Sequence, residues 1–270
     1  AEIRHLAEEL DTLAPHGYKP AEWLDQRVFH DLEPAIFRDI EQGILASRAQ
    51  HVRPGSWIGA LVEALADDNV SFIRAPLSTV QPDAGGRVGA VTAGNRELVA
   101  DAFVIAAGAW TGEVARQFRT RVPVISGKGY SITVESPELE LRQPLYLSEA
   151  KIACSPFEGA NRFAGMMELT GPDDSISPGR LMTMVKALNR ALPGWDRGSR
   201  RVVWAGLRPM SPDGLPVIGK APGLENVYVS SGHGMLGVTM APVTGEIIAE
   251  MIASGSSPYD VHAFDPRRFA

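Results

Sequence analysis

Cysteine is almost missing from this chain. A single residue, Cys154, among 270 cannot close an internal disulfide and excludes a multi-cysteine metal cluster, which points to a reducing, cytoplasmic setting. Histidine is scarce too: the six are isolated, with no pair at metal-ligand spacing, so no metal is expected. Cys154 has no histidine nearby in sequence and no G-x-S-x-G elbow occurs, which argues against hydrolase chemistry. Long apolar runs are lacking as well. The run at residues 103–110 is far shorter than the ~20 residues that span a bilayer, and Arg4 opens no signal-peptide pattern, so no transmembrane segment is expected. Nor is there an excess of positive charge. The formal net charge is −6 and the densest basic group is only Arg197, Arg200 and Arg201, which is no footprint for nucleic acid.

What is present is an ordinary globular composition, 44% hydrophobic and 21% charged, on a chain long enough for one large domain or two smaller ones. Ile3, Leu6, Ala7, Leu10 and Leu13 fall at helical spacing, predicting a helix over residues 2–14, and a second helix is expected over residues 20–32. Trp57, Leu61, Ala64 and Leu65 predict a third, ending near Asp67. From there the period changes. Strands are expected at residues 70–73, 77–80, 87–92, 97–99 and 102–105, punctuated by Gly85-Gly86 and Gly94-Asn95, as an antiparallel meander ending in a buried strand. A second sheet is expected from residues 129–134, 151–157 and 162–166, followed by a helix at 181–192. Strands at 202–205, 215–218 and 227–230 and a helix at 241–252 complete the reading.

Three clusters could carry chemistry. Gly232, Gly234 and Gly237 match G-x-G-x-x-G between a strand and a helix, but a dinucleotide-binding βαβ unit needs a second strand ending in an acid, and the chain after Gly237 leaves no room for one. The spacing then leaves a simple turn, or a loop lying against a flat ligand whose ring backbone amides and the positive helix end would approach. His233 in that loop reads either as a ligand contact or as a hydrogen-bonded structural residue. Ala106-Ala107-Gly108-Ala109 form a strand-to-helix corner of small residues where a ligand can come close. Arg208, at a strand end in Gly206-Leu207-Arg208-Pro209, offers a planar fork for a carboxylate or, equally, for an internal salt bridge.

The run Trp204-Ala-Gly-Leu-Arg-Pro-Met-Ser-Pro-Asp-Gly-Leu-Pro-Val-Ile-Gly219 resembles a signature of the D-amino-acid dehydrogenase branch of the FAD-dependent amine oxidoreductases, the D-amino-acid oxidase fold. Val104-Ile-Ala-Ala-Gly-Ala-Trp110 and Ser230-Ser-Gly-His-Gly-Met-Leu-Gly-Val-Thr239 resemble two others. Lys128-Gly-Tyr-Ser-Ile-Thr133, Glu149-Ala-Lys-Ile-Ala153 and Phe264-Asp-Pro-Arg-Arg-Phe269 are similar too, in family order along nearly the whole chain. The resemblance implies an α/β (mixed α+β) flavoprotein: a discontinuous, partial FAD-binding domain from residues 1–126 and 202–270, with a substrate-binding domain at 127–201. It implies oxidation of a D-amino acid or related amine by hydride transfer to flavin N5. Arg208 would grip the substrate carboxylate, with Tyr130 and Tyr146 as candidates for the tyrosine that covers the substrate. Gly232, His233, Gly234, Met235, Leu236, Gly237, Val238 and Thr239 would hold the flavin ring. Val80 and the corner of Ala106, Ala107, Gly108 and Trp110 would line the adenosine end.

The family's opening strand, glycine turn and ribose-binding acid do not precede Ala1. The chain is therefore expected to begin inside a longer protein, with the missing segment removed or supplied by another chain, and to hold FAD weakly or not at all by itself. Two alternatives stay open: a sarcosine- or glycine-oxidase-like enzyme that passes electrons to oxygen, and a cofactor-free module binding small molecules. The setting is cytoplasmic, with peripheral association at the inner face of a membrane left open.

Overall fold

The computed structural model describes residues 4, 5, 8, 11, 12, 14–16, 22–37, 39, 40, 42–66 and 68–269. It has a mixed α/β architecture divided into two compact units, residues 1–59, 129–167 and 175–205 in the first, and 60–128, 168–174 and 206–270 in the second.

In the first unit, β1 (Glu22–Asp25) and β2 (Gln42–Leu45) form an antiparallel ribbon, Trp23 opposite Ile44. Between them runs α1 (Gln26–Leu32), started by Asp25, whose Oδ1 accepts the Val28 N–H at 2.9 Å. The carboxylate satisfies one of the donors that every helix start leaves bare. The helix expected over residues 20–32 is thus a strand followed by a short helix, and the one expected over residues 2–14 falls largely outside the described residues.

The main sheet of this unit has the order β11-β7-β10-β9-β8, with β7 at Ile125–Glu135, β8 at Leu145–Leu147, β9 at Ile152–Phe157, β10 at Ala160–Thr170 and β11 at Arg200–Met210. Period-2 alternation sends Tyr130, Ile132 and Val134 of β7, Ile152 and Cys154 of β9 and Phe163 of β10 into one core. Met184 and Leu188 of α4 (Pro178–Ala191) close that core, and Trp195 meets Phe163 edge to face at 5.1 Å. Each such fully buried side chain is worth roughly 1.5–3 kcal/mol of transfer free energy. The described residues 33–37 pack into this unit. The causes are specific: Ile36 enters the same core, Phe37 donates its N–H to Ala191 O, and the buried Glu33 carboxylate accepts the N–H groups of Ala35, Arg142 and Gln143.

In the second unit, β3 (Leu77–Pro82), β4 (Val88–Ala93) and β5 (Arg96–Val99) form the antiparallel meander the sequence suggested. Residues 70–73, expected as a strand, have no ladder partner and are exposed. β6 (Phe103–Ile105) leaves the meander altogether. It pairs in parallel with β13 (Val227–Ser231), Val104 beside Tyr228, and β13 pairs antiparallel with β12 (Val217–Lys220). Buried Asn226 links the two sheets, accepting from Val88 N and donating to the carbonyls of Val88 and Asp101. The shared core holds Val80, Val88, Val91, Ile105, Phe118, Val217, Val227 and Val229. α3 (Thr111–Gln117) follows β6, and α5 (Gly237–Ser254) follows β13 and ends at Gly255, left-handed at φ 82°. Finally α2 (Pro54–Ala66), close to its expected span, buries none of its residues.

Candidate functional site

The parallel pairing of β6 with β13 brings two C-terminal strand ends side by side in the second unit. Open α/β sheets bind ligands at such ends, because the chain leaves the sheet there and exposes backbone donors. The corner of residues 106–110 leaves β6 and the loop of residues 230–236 leaves β13. Two hydroxyls fasten one to the other: Thr111 Oγ1 donates to Ser231 Oγ at 2.7 Å, and Ser231 Oγ donates to Gly108 O at 3.2 Å, both side chains being buried. Ser231 lies inside a quoted motif and Thr111 directly follows another; neither was singled out in sequence, where nothing marks a contact across 120 residues.

The glycines have separate jobs. Gly232 sits at φ 74°, and an added Cβ would come within 3.0 Å of Val217 Cγ2 and 3.2 Å of Val217 N, so the turn needs a bare α-carbon for packing. Gly108, at φ 55°, has nothing among the described residues within 4 Å of its would-be Cβ and leaves room beside the backbone. Gly234 is left-handed at φ 54°, and its N–H donates to Pro209 O at 2.9 Å, which with the bridge between Met210 and His233 clips the loop to the end of β11. Gly237 opens α5. The loop is thus a strand-to-helix turn followed by no strand among the described residues, only by short turns at His262–Phe264 and Pro266–Phe269. It does not make the βαβ unit of a phosphate-binding glycine motif.

The surface this presents is apolar and bare. Met235, Leu236 and Val238 are exposed at 72%, 58% and 41%, and the first turn of α5 carries neither an acidic residue nor a side-chain cap, so its N–H groups face outward with the positive end of the helix. Beside β6 lies a groove of about 390 Å³ lined by Leu77, Val91, Phe103 and Val114 together with Ala106 and Ala107. A larger hollow of about 630 Å³ around Arg27, His30 and Arg142 lies in the first unit and touches none of the motif residues, so we place the site at the smaller one. The small-residue corner, the bare helix start and the apolar groove fit the planar rings of FAD. A grip for its diphosphate is not formed by the 232–237 turn.

His233 is half-buried, with Nε2 3.1 Å from Thr244 Oγ1, and burial pushes its pKa below the usual histidine value, which keeps it neutral near pH 7. Arg208 is half-buried on β11, and desolvation lowers its pKa as well. Trp110 is half-exposed at the corner, and Thr239 is exposed on the first turn of α5. Val80 lies at 7% exposure in the core, opposite Val91 in the ladder. The two tyrosines differ. Tyr146 stands 55% exposed on β8 of the first unit, whereas Tyr130 is 1% exposed inside that unit's core, its hydroxyl accepting the Ser177 N–H at 3.3 Å. In that position Tyr130 has almost no surface to offer a substrate. Burial, with Glu33 adding to it, pushes the Cys154 thiol up to about 12, so it is no nucleophile. No group of three metal-ligating side chains is assembled among the described residues. None of the described helices is long and apolar enough to cross a membrane.

The chain is similar to known proteins in sequence and in fold. The chain is 31% identical over 269 residues to a D-amino acid dehydrogenase of Allorhizobium ampelinum, covering 96% of this chain and 62% of that one. Its fold is similar to glycine oxidase from Geobacillus kaustophilus, with a TM-score of 0.85 at 21% identity over 96% of this chain and 70% of that one. It is also similar to iminodiacetate oxidase from Chelativorans sp. BNC1, with a TM-score of 0.83 at 18% identity, covering 92% and 68% of the two chains. The chain therefore spans about 62% of the length of its dehydrogenase relative. The model of the FAD dependent oxidoreductase family matches residues 1–251, and the chain belongs to that family.

Proposed function

We propose that this chain is the substrate-binding part, and part of the flavin site, of an FAD-dependent dehydrogenase acting on a D-amino acid or a related amine. The observation that supports it most is the fastening of the 106–110 corner to the 230–236 loop at the ends of two parallel strands, inside a chain of this family. When bound, FAD would supply a two-electron acceptor for oxidation of the substrate C–N bond to an imine, which water would hydrolyse to an oxo acid.

The chain's own groups orient the reactants. Residues 232–239 would hold the flavin ring, with the first-turn N–H groups of α5 and the helix's positive end favouring negative charge beside them. Neutral His233, held by Thr244, fixes the loop rather than supplying a charge. The corner of Ala106, Ala107, Gly108 and Trp110 takes the adenosine end, with Val80 in the core nearby in that unit. Arg208 would receive the substrate carboxylate on its fork; of the two candidate tyrosines, Tyr146 is the one with exposed surface.

Full-length protein supplied with a panel of D-amino acids, their L-isomers, sarcosine and glycine, and followed by dye reduction and oxygen consumption, tests this directly. Dye reduction with D-amino acids and little oxygen uptake supports the reading. Turnover of sarcosine or glycine with stoichiometric oxygen uptake replaces it with an oxidase, and a colourless protein without turnover replaces it with a cofactor-free binding module.

A further inference from the structure

Two guanidinium groups meet one aromatic ring in the first unit. β9 and β10 form a hairpin closed by the pair Phe157 and Ala160, and Arg53 Cζ lies 5.1 Å from the Phe157 ring centroid while Arg162 Cζ lies 5.7 Å from it. The segment carrying Arg53 is docked on the hairpin tip. Arg53 Nη2 donates to Glu158 O at 2.9 Å, and His51 Nε2 lies 2.9 Å from Pro156 O with its ring edge-on to Phe157 at 5.4 Å. A carbonyl can only accept, so that nitrogen carries the proton. Arg162 reaches across the sheet to β7, where its Nε donates to Thr133 Oγ1 at 3.1 Å.

Both cations contact the same ring, and among the described residues neither arginine is in an ion pair. Contact with a ring face stabilises a solvated cation only weakly. Each guanidinium has five N–H donors, and the hydrogen bonds to described residues use one on each. The surroundings are apolar on one side. Phe163 and Cys154 turn into the core, so Arg162 shares the opposite sheet face with Ala164, Ala153 and Ser155, and with Tyr146, which pairs with Ala153.

We propose that Arg53 and Arg162 form a further binding site, for the carboxylate of a small organic acid. A carboxylate matches the planar fork of a guanidinium in two parallel hydrogen bonds, and it neutralises the unbalanced pair. The hydrocarbon body of such an acid finds Phe157, Ala153 and Ala164, which a bare inorganic anion would leave unused. The site lies wholly within the first unit and rests on no step of the redox chemistry.

Calorimetric titration of the 270-residue chain with succinate, and separately with inorganic phosphate, tests it without flavin or turnover. Succinate is expected to bind, and phosphate to bind at least tenfold more weakly. Arg162→Gln and Arg53→Gln should each weaken succinate at least tenfold, with Arg162→Lys, which keeps charge but loses the fork, in between. Arg53 is exposed, so its substitution disturbs folding least, and far-ultraviolet circular dichroism checks both variants. Succinate binding that is absent, or untouched by either glutamine substitution, overturns the site; phosphate binding as tight as succinate overturns its assignment to a carboxylate.

Discussion

Burial lowers the pKa of Arg208, and in the proposed function a substrate carboxylate beside its guanidinium favours the charged form. A charge-assisted hydrogen bond of this kind is worth ~1.5–3 kcal/mol, roughly a ten- to hundredfold factor in an equilibrium constant. Arg208→Ala in the full-length enzyme is therefore expected to raise KM by that factor while the flavin spectrum is preserved. Steady-state titration with substrate checks it, and an unchanged KM would return Arg208 to a structural role. Gly234 is the second residue on which the proposed site depends. Its φ of 54° is a conformation that a β-branched residue strongly resists, so Gly234→Val should distort the loop and lower flavin content per chain, measured by absorbance after gel filtration. The tyrosines show where residue-level reading stops. Tyr130 stands in a recognisable motif, but a motif does not say which face of β7 a side chain takes. The alternation with Ile132 and Val134 does, and it turns Tyr130 inward.

Among the elements, short antiparallel pieces were legible and long-range partners were not. The meander could be read because its turns at Gly85-Gly86 and Gly94-Asn95 are local signals. β6 looked like its last strand, since an apolar run of three residues carries no mark of the partner 124 residues away, Val104 beside Tyr228. Asp25 as a helix-starting residue was in the sequence, but the strand before it is a product of pairing with β2. The same holds for the turn after β11. Asp213-Gly214 is visible as a turn, whereas its partner Arg268 is 55 residues on, donating to Asp213 Oδ2 at 2.7 Å and to Leu215 O at 3.0 Å. That clasp has a pH signature. The Arg268 hydrogen bonds hold the Asp213 carboxyl at about 2 against an ordinary 3.8. A depressed carboxyl pKa stabilises the fold above the ordinary value and loses that contribution as pH falls toward the folded one. Asp213→Asn should thus flatten the stability curve between about pH 4 and pH 2, and the effect is small because the carboxylate is partly solvated. Urea melts at a series of pH values read it; parallel curves for the two proteins would show the clasp contributes nothing.

At the scale of the whole molecule, the fold class and the order of motifs were readable because they are carried by local runs. The packing of Glu33 and Phe37 was not, because their partners Arg142 and Ala191 lie more than a hundred residues away. The flavin site raises a question of where affinity resides. In the proposed site the 230–239 loop and the 106–110 corner would supply ring contacts, while the 232–237 turn makes no diphosphate cradle, and such cradles hold a doubly charged group with backbone amides and a helix start. The 270-residue chain by itself is expected to retain FAD weakly or not at all. Intact mass together with an absorbance scan decides this, and stoichiometric, tightly held FAD on a 29.0 kDa species would show that the ring contacts carry the affinity.

The bare helix α2 sets the colloidal behaviour of the chain in the tube. Ile58, Leu61, Val62 and Leu65 recur at helical spacing and are exposed at 54%, 43%, 41% and 39%, a sticky stripe on a particle whose net charge of −6 keeps copies apart. Salt shortens the reach of that repulsion to about 10 Å at 0.1 M and to about 3 Å at 1 M, while leaving the stripe's attraction intact. Light scattering at fixed protein concentration should accordingly rise with sodium chloride, and sulfate, which strengthens apolar association, should act at lower concentration still. Replacing Leu61 and Leu65 with glutamate should abolish the rise, and scattering that persists in the double variant would place the adhesive surface elsewhere. For anyone purifying this chain, the practical consequence is that low ionic strength, rather than the customary high-salt buffer, keeps it dispersed.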